Sequence, residues 1–300
     1  MKDYCKYING SSVEEKWGLY IDTAGYSKVQ PNQGYPKNYE HPSTHTFSWN
    51  KGRVLKGHQL LFISRGGGIF ESEFSSPVEI TEGTCLFVHS GVWHRYKPHH
   101  ESGWDEYWIG FNGNYANELM NKDFFNVKIP FIKVGMSAEL LQLFHKLIET
   151  VQTASSGFQQ VSSGITLQIL GLIYSMSLHN NEQSSPVSKL IEKAKFLLQE
   201  SIEKHIDFEQ MARELAIGYS TFRKEFKKLT GEPPNQFLLN LRLSRAKYLL
   251  ENTNMSINEI SDHTGFETVY YFSKLFKKKN GRSPRFYREK RKEASALELE

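Results

Sequence analysis

Phe222 and Phe226 stand four residues apart, followed by Lys227, Lys228, Gly231 and Pro234. Fifty positions later the set recurs as Phe272, Phe276, Lys277, Lys278, Gly281 and Pro284. Phenylalanines at that spacing share one helix face. Cations near a helix end suit phosphate oxygens, where binding releases condensed counterions. Facing away from the phenylalanines are Tyr219, Ser220, Thr221, Arg223 and Lys224 in the first copy, and Thr268, Val269, Tyr270, Tyr271 and Lys274 in the second. Side chains of these types reach base edges and phosphates of double-stranded DNA. Lys279, Arg282, Arg285 and Arg288 extend the cationic end of the second copy. The plainer alternative is a structural helical hairpin with a solvated charged face; two copies on a basic stretch favour the nucleic-acid reading.

The elements that position these residues are punctuated in the sequence. Asp207 with Gln210, and Ser256 with Glu259, have the capping-box form that opens a helix. Upstream the offset is forty-nine, Phe208, Met211 and Ala212 matching Ile257, Ile260 and Ser261, so one residue is inserted between the two helices of the second copy. Each copy reads as a capped short helix, a turn at Ile217-Gly218 or Gly265-Phe266, and a second helix closed by Gly and Pro. That is the layout of a helix-turn-helix.

The rest of the chain has another texture. Strands are expected at 54–64, 68–74, 77–80, 85–88 and 106–111, separated by glycine-bearing turns such as Arg65-Gly-Gly-Gly and Glu82-Gly83, a pattern of sandwiches and barrels. Trp93, Trp104 and Trp108, interleaved with Asp105, Glu106 and Tyr107, offer flat apolar faces beside hydroxyl partners, the combination a sugar requires. Ser137 can cap a helix bearing Leu140, Leu141, Phe144, Leu147, Ile148 and Val151, and 161–178 reads as a second; their stripe must bury on the barrel or on a second copy. A polar tract, 180–186, forms a linker, and Ser188 precedes the next helical run.

Over 300 residues the formal charge is +4. Cut at Ser185/Pro186, the chain has 15 basic and 17 acidic residues before (net −2) and 22 and 16 after (net +6). The average conceals a basic domain joined to a slightly acidic one. Two cysteines, Cys5 and Cys85, make no disulfide framework, and neither a signal peptide nor a membrane-length apolar run is evident, so a cytoplasmic protein without membrane partners is expected. The terminal residues 293–300 are treated as a tail.

The run from Ile257 through Gly265-Phe266, Phe272, Phe276, Gly281 and Pro284 to Tyr287-Arg288 resembles the signature of AraC/XylS-type transcription regulators. The run from Gln236 through Arg242 and Ala246 to Leu250 resembles their connecting helix. The likeness covers 186–292 and departs at Ser261, where alanine is usual, and Thr264, where a larger apolar residue is usual. It implies one monomer placing two recognition helices in successive major grooves about 34 Å apart, with RNA polymerase as a partner. The runs Gly83 to Tyr96 and Gly103 to Phe111 resemble the cupin-like ligand-binding domain of sugar-responsive members. That resemblance implies effector contacts at Arg53, His94, Tyr96, Glu106 and Trp108, with Glu106 standing where the arabinose-responsive type has histidine. Of the cupin metal pattern, His58 and His94 fit, but Leu60 occupies the second histidine position and no acid stands near Ser64 or Arg65. Neither metal nor cofactor is expected.

The expected fold is α+β in two domains: an N-terminal cupin-like β-barrel (1–133) with a helical dimerisation hairpin (134–179), a linker (180–186), and a C-terminal all-α domain (187–292) with two helix-turn-helix motifs. The expected function is a homodimeric, sugar-responsive DNA-binding regulator that activates carbohydrate genes and is not an enzyme. The alternatives are a metal-dependent cupin enzyme fused to a DNA-binding module, or a constitutive regulator with a purely dimerising barrel.

Overall fold

The computed structural model describes residues 3–36, 48–122, 124–179 and 185–289. The chain divides into two compact units, 1–183 and 184–300.

In the first unit the strands are β1 (Tyr4–Tyr7), β2 (Tyr20–Val29), β3 (Arg53–Val54), β4 (His58–Ser72), β5 (Ser75–Thr81), β6 (Thr84–Val88), β7 (Trp93–Pro98), β8 (Trp104–Asn112) and β9 (Phe131–Lys133). The main path runs β1-β2-β8-β4-β6-β9 with antiparallel neighbours and does not close. The expected barrel is thus met by an open sheet. β4 belongs to two layers. Its first half pairs with β6 and β8, its second with β5 and β7, and β7 also carries β3.

The run Arg65-Gly-Gly-Gly, expected as a turn, lies inside β4. A Cβ on Gly66 would overlap the Gly103 carbonyl oxygen and one on Gly68 that of Lys97, so the glycines let the strand pass close to neighbouring backbone instead of ending it. Phe70, Ile80 and Tyr96 of the second layer meet Leu61, Ile63, Trp104 and Trp108 of the first in one core. β2 was absent from the expected strands because its inner positions are Thr23, Gly25 and Ser27, which break the apolar alternation.

On the outer face of the main sheet lie α1 (Ser12–Trp17), α2 (Asn114–Met120), α3 (Ala138–Thr153) and α4 (Phe158–His179). Ser137 caps α3 as expected, accepting from the Leu140 N–H at 3.2 Å. Leu140, Leu141, Phe144, Leu147, Ile148 and Val151 are fully buried within this one chain, Phe144 stacking on Phe62 at 5.9 Å. The stripe of α3 is therefore used on the chain's own sheet. Gln159 of α4 is buried yet satisfied: it accepts from the Ile21 N–H at 3.1 Å and donates to the Ile21 carbonyl at 3.0 Å. α4 has the length and hydropathy of a membrane span, but its Ile165, Ile169, Leu170 and Ile173 are buried in the fold.

The second unit is helical: α5 (Pro186–Glu200), α6 (Phe208–Glu214), α7 (Tyr219–Thr230), α8 (Pro234–Asn252), α9 (Ile257–His263) and α10 (Val269–Asn280). α5 starts earlier than expected. Ser185, not Ser188, is its cap, accepting from the Ser188 N–H, and Pro186 takes the first helical position, where no N–H is needed. Of the two capping boxes expected here, the one at Ser256–Glu259 is complete; Asp207 accepts from the Glu209 and Gln210 N–H groups, but the Gln210 side chain turns to Glu214. Two cores result, one from α5, α6, α7 and the start of α8, the other from the rest of α8 with α9 and α10.

Candidate functional site

The two helix pairs repeat in geometry as in sequence. Phe222 and Phe226 meet at 5.6 Å and 65°, and Phe272 and Phe276 at 5.7 Å and 64°; Phe226 meets Phe237 as Phe276 meets Tyr287, both at 77°. In each turn a backbone N–H reaches back five residues, Ile217 to Ala212 and Phe266 to Ser261. Gly218 caps α7 and Thr268 caps α10, which places the inserted residue at Glu267. Both long helices end on a left-handed glycine, Gly231 (φ 83°) and Gly281 (φ 75°). The two departures from the family pattern are accommodated: Ser261 and Thr264 are buried, and the Thr264 hydroxyl donates to the Ile260 carbonyl at 2.6 Å.

Tyr219, Ser220, Thr221, Arg223, Lys224, Lys227 and Lys228 are all exposed on α7. So are Thr268, Val269, Tyr270, Tyr271, Lys274, Lys277, Lys278 and Arg282 along α10 and its ends. Arg223 lies 5.8 Å over the Tyr219 ring, and Lys228 is within 3.9 Å of Glu225. The Thr268 hydroxyl is already accepting from the Tyr271 N–H at 3.2 Å. Arg285 pairs with Glu289 while staying exposed, and part of the Arg288 guanidinium is buried, so Arg288 is less open than its neighbours.

The first unit gathers Arg53, His94, Tyr96, Glu106 and Trp108 on the inner face between its two layers. Arg53 donates to the Tyr96 hydroxyl at 2.6 Å, to Gln59 Oε1 at 3.2 Å and to His94 Nε2 at 3.2 Å. His94 Nδ1 lies 3.0 Å from the Val92 carbonyl, so its two partners select the neutral Nδ1–H tautomer. Burial, then the nearby Arg53 charge, holds His94 down to about 3. Glu106 is buried and lies 3.2 Å from the Tyr35 hydroxyl, whose ring stands edge-on to Trp104 at 5.6 Å. Burial first, then Glu106, raises the Tyr35 phenol well above its ordinary range. Trp108 donates to the Thr23 hydroxyl at 3.2 Å.

Some neighbours singled out in the sequence do not join this face. Trp93 donates to the Lys51 carbonyl, and together with Trp49 it flanks Arg95 on the other side of β7. Asp105 pairs with Arg65, and Tyr107 reaches His145 of α3. His58 is held by Asn117 and the Ser90 N–H, away from His94, and no metal-binding group of three appears among the described residues. Residues whose signal was missed are Gln59 and Thr23; each is an ordinary polar residue until the strand register shows what it faces. The run Tyr35 to Pro42 could by its composition form an arm over the pocket; Tyr35 lies there, and 37–42 fall outside the described residues.

The profile described as "AraC-like ligand binding domain" matches residues 39–170, and that described as "Helix-turn-helix domain" matches 211–290. These define a DNA-binding regulator with a ligand-binding domain. Among relatives, the chain is 30% identical over 241 residues to the HTH-type transcriptional activator RhaR of Mannheimia succiniciproducens, covering 77% of this chain and 84% of that one. It is 26% identical to the lactose operon transcription activator of Staphylococcus xylosus (75% and 81% covered) and 24% identical to the Msm operon regulatory protein of Streptococcus mutans (78% and 85%). The chain belongs to the AraC family of transcription regulators.

Proposed function

We propose that this protein is a sugar-responsive transcription activator that binds DNA through both helix pairs of its second unit. The observation that carries the reading is the repeat: two helix pairs of matching ring geometry, each presenting an exposed face of hydroxyls, aromatics and cations. In this reading each pair is a helix-turn-helix, α7 and α10 are the recognition helices, and the fifteen exposed residues named above contact bases and phosphates. The relatives' names, drawn from lactose, rhamnose and other operons, support carbohydrate genes as targets.

The first unit is read as a cupin-like effector domain over 1–133, whose Arg53, His94, Tyr96, Glu106 and Trp108 surround the effector, with the helical segment 134–179 and the linker 180–186 leading to the DNA-binding domain 187–292. A homodimer would use the outer face of α4. There Val161, Gly164, Gln168, Gly171, Ser175 and Leu178 are exposed at alternating three- and four-residue spacing, the rhythm of a helix seam. RNA polymerase is the partner in activation, and the cytoplasm the compartment. An enzymatic role is disfavoured by His58 and His94, whose four ring nitrogens are all engaged with protein groups.

The test is binding to DNA upstream of the protein's own gene at two salt concentrations. Affinity should fall roughly a thousandfold between 50 and 200 mM salt if six or more phosphates are contacted. Absent or salt-insensitive binding overturns the reading.

A further inference from the structure

Arg53, His94 and Tyr96 are tied to one another, and Glu106 to Tyr35. A cavity of about 210 Å³ is lined by Asp22, Thr23, Gln59 and Asn112, with Val54 and Leu55 as aliphatic wall. It meets the network at two points, since Gln59 is a partner of Arg53 and Thr23 is the partner of Trp108.

Asp22 reaches this cavity through a β-bulge. Ile21 opposes Phe111 and Thr23 opposes Gly110, so Asp22 is the extra residue, and two consecutive side chains line the same space. Its carboxylate lies between Gly57 and Gly110. A Cβ on Gly110 would overlap Oδ1, and one on Gly57 would come within 2.7 Å of Oδ2, so only glycine at both positions leaves the carboxylate room. The backbone N–H groups of Asp22 and Thr23 steady it, and no cation pairs with it among the described residues. Burial pushes its carboxyl up to about 7.

The surrounding groups are donors. Asn112 Oδ1 accepts from the Gly113 N–H at 2.8 Å, and Gln59 Oε1 accepts from Arg53, which leaves the NH2 of each amide. The Thr23 hydroxyl accepts from Trp108 and keeps its own proton to donate. Lys56, the cation in the lining, is an exposed side chain whose charge is solvated. A ligand here meets one two-oxygen acceptor, two amides, a hydroxyl and an aliphatic wall.

We propose that this cavity extends the effector site beside Arg53 and Trp108 and that Asp22 is a specificity-determining residue there, admitting an uncharged polyhydroxylated ring that donates two adjacent hydroxyls to the carboxylate and excluding sugar acids and other anions. The inference rests on the sugar-responsive reading above and sharpens it. Adjacent hydroxyls match the two oxygens as paired donors, the amides return hydrogen bonds to ring and hydroxyl oxygens, and Val54 and Leu55 cover C–H groups. Above pH 7, where the Asp22 carboxyl is ionised, an anion would bring like charge against a carboxylate with little water around it, which is costly without a partner.

The experiment uses the full-length protein at pH 8, where Asp22 is ionised, thermal shift followed by calorimetry, with arabinose, rhamnose, glucose, galactose, lactose and raffinose beside glucuronate and galacturonate. A neutral sugar should bind, its uronate at least tenfold more weakly. Asp22→Asn should weaken the neutral sugar tenfold or more and narrow its advantage over the uronate. The unliganded melting curve shows whether Asp22→Asn folds; if it does not, Asn112→Ala, which leaves the carboxylate alone, should give the same loss for the neutral sugar. Unchanged affinity in the folded variant, or a uronate bound as tightly as its parent hexose, overturns the assignment to Asp22 and leaves the sugar-responsive reading intact. If no compound binds the wild-type protein while DNA does, that reading falls, and this inference with it.

Discussion

Arg53 and Tyr96 are joined by a 2.6 Å hydrogen bond, and the same guanidinium reaches His94 and Gln59, so one side chain ties β3 to β7 and to β4. Replacing Arg53 with methionine keeps the aliphatic stem and removes one hydrogen bond from each of three polar partners. Chemical denaturation should show a loss of about 1–3 kcal/mol, the cost of leaving a buried acceptor unsatisfied. A loss near zero would mean that water takes over the role of the guanidinium.

Acid should destabilise the first unit through its histidines. His94 is held near 3 by burial and then Arg53, and His89 near 4 by burial and then His58, whereas an unfolded histidine takes its proton near 6.5. The unfolded chain therefore binds more protons, and stability drops as pH falls from about 6.5 through these values. Asp22 acts in the opposite sense. Its folded value of about 7 lies above the unfolded one near 3.9, so its contribution is full below pH 3.9 and is lost as pH rises through 7. Melting temperatures from pH 4 to 8 should show a shallower acid decline in His94→Gln and a smaller alkaline decline in Asp22→Asn.

The residues proposed to face DNA should separate into two behaviours. Arg223→Ala and Lys274→Ala, on the outer faces of α7 and α10, should change which sequences are preferred. Lys278→Ala, at the end of α10, should weaken all sequences alike and lower the salt slope by about one. Selection from a randomised pool, followed by salt titration, reads both; identical behaviour of the two kinds would refute the assignment of faces.

Glycines with positive φ should differ by what surrounds them. Gly281 (φ 75°) has open space around it, so Gly281→Ala should cost only backbone strain, about 1 kcal/mol. Gly66 (φ 76°) faces the Gly103 carbonyl as well, so Gly66→Ala should cost more and disturb the junction between the halves of β4. Denaturant titration of both variants tests the order.

How much was legible in the sequence follows from where the signals are local. The second unit could be read closely because caps, phenylalanine spacing and terminal glycines each act within one helical turn; the inserted Glu267 is visible as a change of offset. The first unit was harder. β2 carries Thr23, Gly25 and Ser27 inward because the pocket side is polar and because a Cβ on Gly25 would overlap the Trp108 ring, so the usual alternation is erased. The glycines of β4 look like a turn, since only the neighbouring strand's carbonyls reveal why they are needed. Trp93 and Trp108 look equivalent in sequence, yet strand register sends them to different faces. That Asp22 lines the cavity was invisible in the sequence because its orientation depends on a bulge, which is a property of two strands together.

α8 contributes Leu238 to one hydrophobic core and Leu243, Ala246, Leu249 and Leu250 to the other, as a single unbroken helix of 19 residues. The relation between the two helix pairs is thus carried by a rod whose pitch is fixed by hydrogen-bond geometry. Adding or removing one residue in its middle would turn one pair by about 100° about the helix axis and move it by about 1.5 Å. The angular phase between the two exposed faces is consequently an integer property of the chain: substitutions within α8 adjust it little, while a single insertion resets it.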